Sequence, residues 1–541
     1  MSSPGGRTTV DETRWWREGV FYQIYPRSFK DSNGDGVGDI RGIVEKLDYL
    51  EWLGIDGVWL NPTMPSPNTD WGYDVSDYKG VHPELGTLED LDELISGAHR
   101  RGIRILLDFV PNHTSTEHEW FRASISTPDS PTRDYYVWAD PKPGGSPPNN
   151  WRSAFGGDAW EYDAGSGQFY LHNFLDTQAD LNWWNEDVRV AMDDVLRFWF
   201  DRGVAGFRID VAHAVIKDRQ LRDNLPATES DDMFARRLGQ QHTYSMDQPE
   251  VHDVIRRWRS LADSYEPHRI LVGETFLLDL HKMANYYGKG DELNVAFNFP
   301  FVFAPFEAGA LREVVELTED LLPPELAWPV WTGSNHDVLR FPTRWCNNDL
   351  RRTRVALIML LTMRGTPFLY YGDEIGMPDT DLRYEQLLDP VGMRYWPENK
   401  GRDFCRTPMQ WAATVGAGFT EPGVDPWLPF GDVTAFNVAA QRSDAGSTLA
   451  FTRALIALRR KSEDLRRGGY STIDSPDGTW VYRRGDGTLI ALNLSEDGAF
   501  IPEVNGLIVL HSDQNPADRT VSGSLELDPW SAAIVDERPS R

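Results

Sequence analysis

The amino-acid sequence predicts a (β/α)8 TIM barrel of the α/β class, with a small domain inserted after the third strand and a C-terminal antiparallel β domain. Three observations lead there. Eight short apolar runs of strand character alternate with segments of helical periodicity, the texture of parallel strands joined by helices. The spacing stretches between the third and fourth runs across a segment rich in Pro, Gly, Asn and Trp. Beyond about residue 469 the pattern changes to short alternating runs with Gly and Asp turns.

Taken in order, residues 1–18 read as a flexible lead-in. The apolar runs are 20–26, 57–61, 103–110, 204–210, 270–275, 295–301, 330–335 and 367–371. In the first linking segment Ile40, Ile43, Val44, Leu47, Leu50 and Leu53 fall on one helical face. A second irregular stretch, 372–429, follows the eighth run, and a last helix is expected over about 447–467. The divisions are thus a barrel over 1–110 and 181–468, an inserted domain over 111–180, and a terminal β-sandwich over 469–541. A chain of 541 residues is long enough for such a multi-domain plan.

Composition narrows the function. A net charge of −29 repels polyanions and argues against nucleic acid or anionic membrane as partner. Cys346 and Cys405 are too few for a disulfide framework. Residues 1–17 show no apolar leader, and no run is long enough to cross a bilayer, so a cytoplasmic location is expected. Oligomeric state is not legible in these features.

In a barrel the chemistry lies at the carboxyl ends of the strands. The polar residues collect at those positions. The third run ends in Asp108, Asn112 and His113, and the fourth in Arg208, Asp210 and His213. The fifth ends in Glu274, and the seventh in Asn335, His336 and Asp337. Arg208 and Asp210, two residues apart on a strand, leave it on one face, cation beside carboxylate. On their own these two suit equally a nucleophile with its stabilising cation or a structural ion pair. Four such strand ends at one mouth favour chemistry.

Those strand ends carry a resemblance. Asp108-Phe109-Val110-Pro111-Asn112-His113, the stretch 206–213, Gly273-Glu274-Thr275 and Asn335-His336-Asp337 resemble, in order, the four signature regions of the α-amylase family, glycoside hydrolase family 13. Gln178-Ala179-Asp180-Leu181-Asn182 resembles a fifth region as found in its α-glucosidase and oligo-1,6-glucosidase branch. The resemblance implies Asp210 as nucleophile, Glu274 as general acid/base and Asp337 as transition-state stabiliser. It implies that His113 and His336 bind sugar hydroxyls, that Arg208 keeps Asp210 ionised, and that Tyr73 stacks on the sugar. Asp70 would pair with Arg402 to close the far end of a glucose pocket; Phe155 and Phe174 would line its wall, although a place in the core of the inserted domain suits them equally.

The chemistry explains such a set. Displacement at an acetal carbon needs a carboxylate on one face and a carboxylic acid on the other; roughly 5–5.5 Å apart they exclude water and give a covalent glycosyl-enzyme with retention. A free glutamate, with a pKa of about 4.3, is protonated only roughly 0.2% of the time at pH 7. Burial and the charge of Asp210 should push Glu274 up, while Arg208 should pull Asp210 down.

A further motif is Asp31-Ser32-Asn33-Gly34-Asp35-Gly36-Val37-Gly38-Asp39, with oxygen side chains at alternate positions and Gly at the sixth, as in an EF-hand-type loop. The twelfth position is Gly42, not the bidentate Glu of an EF-hand. A local Asx/Gly turn without metal fits the residues too. The resembling branch implies a structural Ca²⁺ held by Asp31, Asn33, Asp35, Asp39 and the carbonyl of Val37.

The leading expectation is a retaining exo-acting α-glucosidase that takes short oligosaccharides or disaccharides, maltose- or isomaltose-type. Val211, just after the nucleophile, leans towards α-1,6 linkages by resemblance, although Ala212-His213 departs from the usual text there. The alternative keeps the same residues but makes a sugar the acceptor, giving a transglucosylase or an isomerase of sucrose or trehalose. A catalytically silent relative, like the heavy chains of amino-acid transporters, would have lost the carboxylates present here.

Overall fold

The computed structural model describes residues 15–513 and 519–538. Eight parallel strands form the central sheet: β1 (Phe21–Ile24), β2 (Gly57–Leu60), β3 (Arg104–Phe109), β4 (Gly206–Ile209), β5 (Ile270–Gly273), β6 (Val295–Ala296), β7 (Val330–Thr332) and β8 (Thr366–Tyr370). Every neighbour is the next strand in sequence, and β1 returns to β8 through Phe21 opposite Phe368. A parallel bridge from Phe297 to Val330 joins β6 to β7 and closes the barrel.

Alternation along each strand makes two cores, as a period of two requires. Trp59, Leu106, Val272 and Phe368 point inward and pack with Phe21, Val295 and Phe297. Ile105, Leu107, Phe207 and Ile209 point outward into the layer beneath the helices. Gly206 is inward, and a Cβ there would collide with the Ile270 carbonyl, so the close approach of β4 to β5 requires glycine. Residues 15–18 of the expected lead-in form the helix Trp15–Glu18, with Trp15 stacked on Phe21 at 5.3 Å across the barrel floor. The rest of that lead-in lies outside the described residues.

Three expected elements are shorter or broken. The sixth run is strand only over Val295–Ala296, because Asn298 caps a helix, Phe299–Phe303, through the Phe301 amide, and Pro300 favours a first helical turn. The first linking helix divides at Lys46 into Ile40–Glu45 and Leu47–Leu53, with Lys46 over the Trp411 ring at 4.3 Å. The last helix divides at Ser462, which caps Glu463–Arg467 after Thr448–Lys461.

Between β3 and β4, His113–Ser115 pairs antiparallel with Gln178–Asp180, and Trp138–Ala139, Gln168–Leu171 and Trp160–Asp163 form a small sheet over its own core of Trp151, Trp160 and Phe169. After β8, the 372–429 stretch is irregular except for short turns and helices, among them Pro390–Tyr395 and Asp403–Arg406. The C-terminal part is antiparallel, with a six-stranded sheet and a two-stranded ribbon. Among the described residues no helix is long and apolar enough to cross a membrane.

Candidate active site

The site begins with the inward register of β3 and β4. Asp108 follows Leu106 and Arg208 follows Gly206 on the barrel's inner face, so both emerge at the carboxyl-end mouth. Arg208 is buried and rests 4.9 Å over the Trp59 ring. Its Nη1 donates to Asp108 at 2.9 Å and Asp210 at 2.7 Å, and its Nη2 reaches Glu274 at 2.7 Å. One guanidinium therefore serves three carboxyls.

Val211 turns the chain after Asp210 with φ of 34°, a strained value for a β-branched residue. That turn aims its N–H at Glu274 Oε2, 3.0 Å away, while the Ala212 N–H donates to the Glu274 carbonyl at 2.9 Å. The carboxyls of Asp210 and Glu274 come within hydrogen-bonding reach of each other. His213 lies behind them, buried, its ring towards the Glu274 carbonyl, and burial pushes its pKa down to about 4.

The electrostatics differ from the expectation for Asp210. Burial pushes Asp210 well above the usual carboxylate range against the pull of Arg208, and Glu274 and Asp108 add repulsion. Burial likewise raises Glu274, against Arg208 and with Asp337 adding to the rise, and it pushes Asp108 up to about 6. Arg208 does pull Asp210 down, but its charge is shared with two other buried acids and burial outweighs the pull. Both shifts run towards the protonated form, so burial favours a proton shared by the Asp210–Glu274 pair.

Asp337 is the exception. Burial pushes it up, but His336, Arg402, Arg406 and Arg208 outweigh that and hold it well below its ordinary value. Its Oδ1 accepts from Arg402 Nη1 at 3.3 Å and Arg406 Nη2 at 3.0 Å, and its Oδ2 lies 3.0 Å from His336 Nε2. Burial drives the His336 pKa well below normal, and the surrounding arginines add to this against Asp337. The ring is therefore neutral, and the arginines keep Asp337 charged. The Gln23 side-chain N–H donates to His336 Nδ1 at 2.9 Å, which leaves the proton on Nε2, facing Asp337 and the Tyr73 hydroxyl at 2.6 Å. Tyr73 in turn donates to Asp108 at 2.9 Å, and its ring lies parallel to His336 at 5.2 Å, so one face is already covered.

The far end is closed by charge. Arg402 Nη2 donates to Asp70 at 2.7 Å and to Asp389 at 2.7 Å. Gln178 bridges Asp70 and His113 at 3.1 Å each. His113, pushed down to about 4 by burial, is neutral; it is placed by Asn112 and the Tyr73 carbonyl. Phe174 packs on His113 at 5.2 Å, Phe155 on Phe174 at 5.4 Å, and the Arg402 guanidinium sits 5.1 Å from the Phe155 ring. Two residues past Glu274, Phe276 packs against Phe299 at 4.4 Å and Phe234 at 4.9 Å.

Sequence reasoning missed Asp389 and Arg406. Both lie in the irregular stretch after β8, where no periodicity marks them. One signal was available: Arg402 and Arg406 are four apart, the spacing that puts two side chains on one face of a helical turn.

The loop 31–39 is wrapped on itself. Asp31 Oδ1 accepts from the Asn33 and Gly34 amides, and Oδ2 from the Gly36 amide and the Thr420 hydroxyl, which fills its four acceptor positions. Asp39 accepts from the Ser32 amide and hydroxyl and the Gly42 amide, and Asp35 from the Val37 amide and the Asn33 side chain. Among the described residues no three His, Cys, Asp or Glu side chains are gathered as metal ligands. The all-oxygen donor set has the hard chemistry Ca²⁺ takes, but the carboxylates are engaged with N–H and O–H donors.

An eight-stranded parallel barrel with three acidic side chains at its carboxyl-end mouth, two of them in contact, defines a glycoside-cleaving enzyme of the carboxylate-pair type. Residues 23–468 match the family model described as "Alpha amylase, catalytic domain". The chain belongs to the α-amylase family, glycoside hydrolase family 13. It is 40% identical over 503 residues to a probable alpha-glucosidase of Rhizobium meliloti, covering 90% of each chain. It is 37% identical to an oligo-1,6-glucosidase of Heyndrickxia coagulans, covering 96% of this chain and 99% of that one. Among solved structures, an alpha-glucosyl transfer enzyme superposes with a TM-score of 0.89 at 40% identity, covering 96% of this chain and 99% of that one. The isomaltulose synthase of Protaminobacter rubrum does so with 0.87 at 32% identity, covering 97% and 99%.

Proposed function

We propose that the protein is a retaining, exo-acting α-glucosidase that releases α-glucose from the non-reducing ends of short α-glucosides. The observation that carries this reading is the far end of the pocket, where Arg402 is pinned between Asp70 and Asp389 beneath Phe155. A charged wall of that kind admits one sugar end, whereas internal cleavage needs an open cleft. Asp210 attacks the anomeric carbon, Glu274 gives the pair's proton to the leaving oxygen, and water then enters with Glu274 as base. Asp337, held anionic by Arg402 and Arg406, faces the positive charge that develops in the transition state. The neutral rings of His113 and His336 hold sugar hydroxyls.

The test is incubation with maltose, isomaltose, sucrose and trehalose, with separation of products and detection of the first anomer by NMR. Freshly released β-glucose would overturn the reading. Val211 supports a preference for isomaltose over maltose. A second reading has a specific motive: the aromatic group Phe276, Phe299 and Phe234 beside Glu274 suits an acceptor sugar, which would make the enzyme a transglucosylase or isomerase. Glucosyl products longer than the substrate, or isomerised sucrose, would establish it.

Arg406 is a positioning residue in this scheme. Arg406→Lys keeps the charge but cannot hold both Asp337 and the His336 carbonyl, which accepts from Nε at 2.8 Å. The expected result is a kcat about ten- to a hundred-fold lower with KM little changed, read by steady-state kinetics on an aryl α-glucoside.

The loop 31–39 is proposed as a structural Ca²⁺ site in which the ion displaces the Ser32 and Thr420 hydroxyls from Asp39 and Asp31. The expected result is a Tm several degrees lower in chelator than in millimolar CaCl₂, with kcat unaffected. Equal melting curves would retire the ion. The two unpaired, buried cysteines suit the reducing cytoplasm, where we place the protein.

A further inference from the structure

We infer that Tyr395 is a specificity-determining latch: its hydroxyl ties the 372–429 stretch to the inserted domain and thereby fixes Phe155 over the closed end of the sugar pocket. This rests on the exo-acting reading above. Tyr395 ends the helix Pro390–Tyr395, and its hydroxyl donates to the Phe155 carbonyl at 2.7 Å. The neighbouring Arg394 Nη1 reaches the carbonyls of Gly156 at 3.2 Å and Phe155 at 3.4 Å. Two consecutive side chains from one insertion thus hold two consecutive carbonyls of the other.

The fit at this point is tight. Gly156 has φ of 86°, and a Cβ there would collide with the Tyr395 hydroxyl, so only glycine lets the two segments meet. The contact also reaches the charged wall from two sides. The helix that carries Tyr395 is capped by Asp389, whose carboxylate grips Arg402, and the held Phe155 ring covers that same guanidinium. Phe155 belongs to a loop with no strand of its own, the neighbouring strands being Trp138–Ala139 and Trp160–Asp163. Its ring position therefore depends on Phe174 and on this latch. Freeing it opens the space beside Arg402 to water and loosens the wall against which the terminal glucose is seated.

The test is Tyr395→Phe in the full-length enzyme, which removes one oxygen and keeps the ring. Loss of one hydrogen bond that seats the wall predicts a KM for a short α-glucoside about three- to ten-fold higher, with kcat within about two-fold and Tm unchanged. Gly156→Ala should raise KM in the same direction. The double variant should raise it less than the product of the two, because the methyl group's nearest clash, with the hydroxyl, is gone and only the ring carbon behind it still crowds. An unchanged KM in Tyr395→Phe, or full multiplicativity in the double variant, overturns the latch. A parallel assay uses a malto-oligosaccharide whose non-reducing end is chemically blocked. Cleavage of it by the wild-type enzyme defeats the exo-acting reading itself, whereas a wild type that spares it, with KM unmoved in Tyr395→Phe, defeats only the latch.

Discussion

Glu274→Gln is expected to lower kcat on maltose or isomaltose by about 10²–10⁴-fold, the range for losing a general acid, while the protein folds normally. The amide fills the same volume and still accepts from the Val211 N–H, so the surrounding geometry is preserved. What it cannot do is hand a proton to a poor leaving group. An aryl glucoside whose leaving phenol needs no proton should therefore lose far less in its first step than a disaccharide does. Asp210→Asn should be at least as damaging and should spare neither substrate, because a neutral amide oxygen cannot replace the attacking carboxylate. Near-wild-type turnover of disaccharide by either purified variant would remove both residues from the roles given to them.

Arg208→Gln comes next in size. The guanidinium is the shared partner of Asp108, Asp210 and Glu274, and removing it leaves buried acids without a cation. Such losses cost about 3–5 kcal/mol of folding stability, and the loss of the preorganised cation beside the reacting carboxyls is expected to lower kcat/KM at neutral pH by roughly 10²–10³-fold. The direction with pH follows from the burial of these groups. All three already titrate above their ordinary range, Asp108 at about 6, and without Arg208 they rise further. The attacking anion then forms only at higher pH, and the acid limb of the kcat/KM profile moves to higher pH. Stability follows the same linkage. A carboxyl raised in the folded state contributes stability below its unfolded pKa and loses it as pH rises through its folded pKa. The Tm of Arg208→Gln relative to wild type should therefore worsen from pH 5 to pH 8. A profile whose acid limb stays in place would show that Asp210 does not depend on Arg208.

Much of this was legible beforehand because strands and their ends obey local rules. The eight apolar runs were visible as such, and a period of two sends Arg208 and Asp210 off β4 together. The sixth run misled because Phe299 and Phe301 look like strand residues, whereas Asn298 and Pro300 start a helix. Asp389 and Arg406 were missed for a different reason. They sit in a stretch without periodicity, and their importance arises only where it folds back on Asp337 and Asp70. The sharing of Arg208 was also beyond a linear reading. Sequence shows Asp210 two residues away, but Asp108 and Glu274 join it through strand pairing, and burial, with the repulsion of these two acids added, reverses the expected shift of Asp210.

The ion pair between Asp70 and Arg402 spans 332 positions of chain. During synthesis the first partner leaves the ribosome long before the second exists, and a contact of such high order can form only after β8 has docked on β1. A nascent chain therefore carries Asp210 and Glu274 before the far end of the pocket is closed. The closed end of the pocket is thus among the last parts of the barrel that the order of synthesis allows to form.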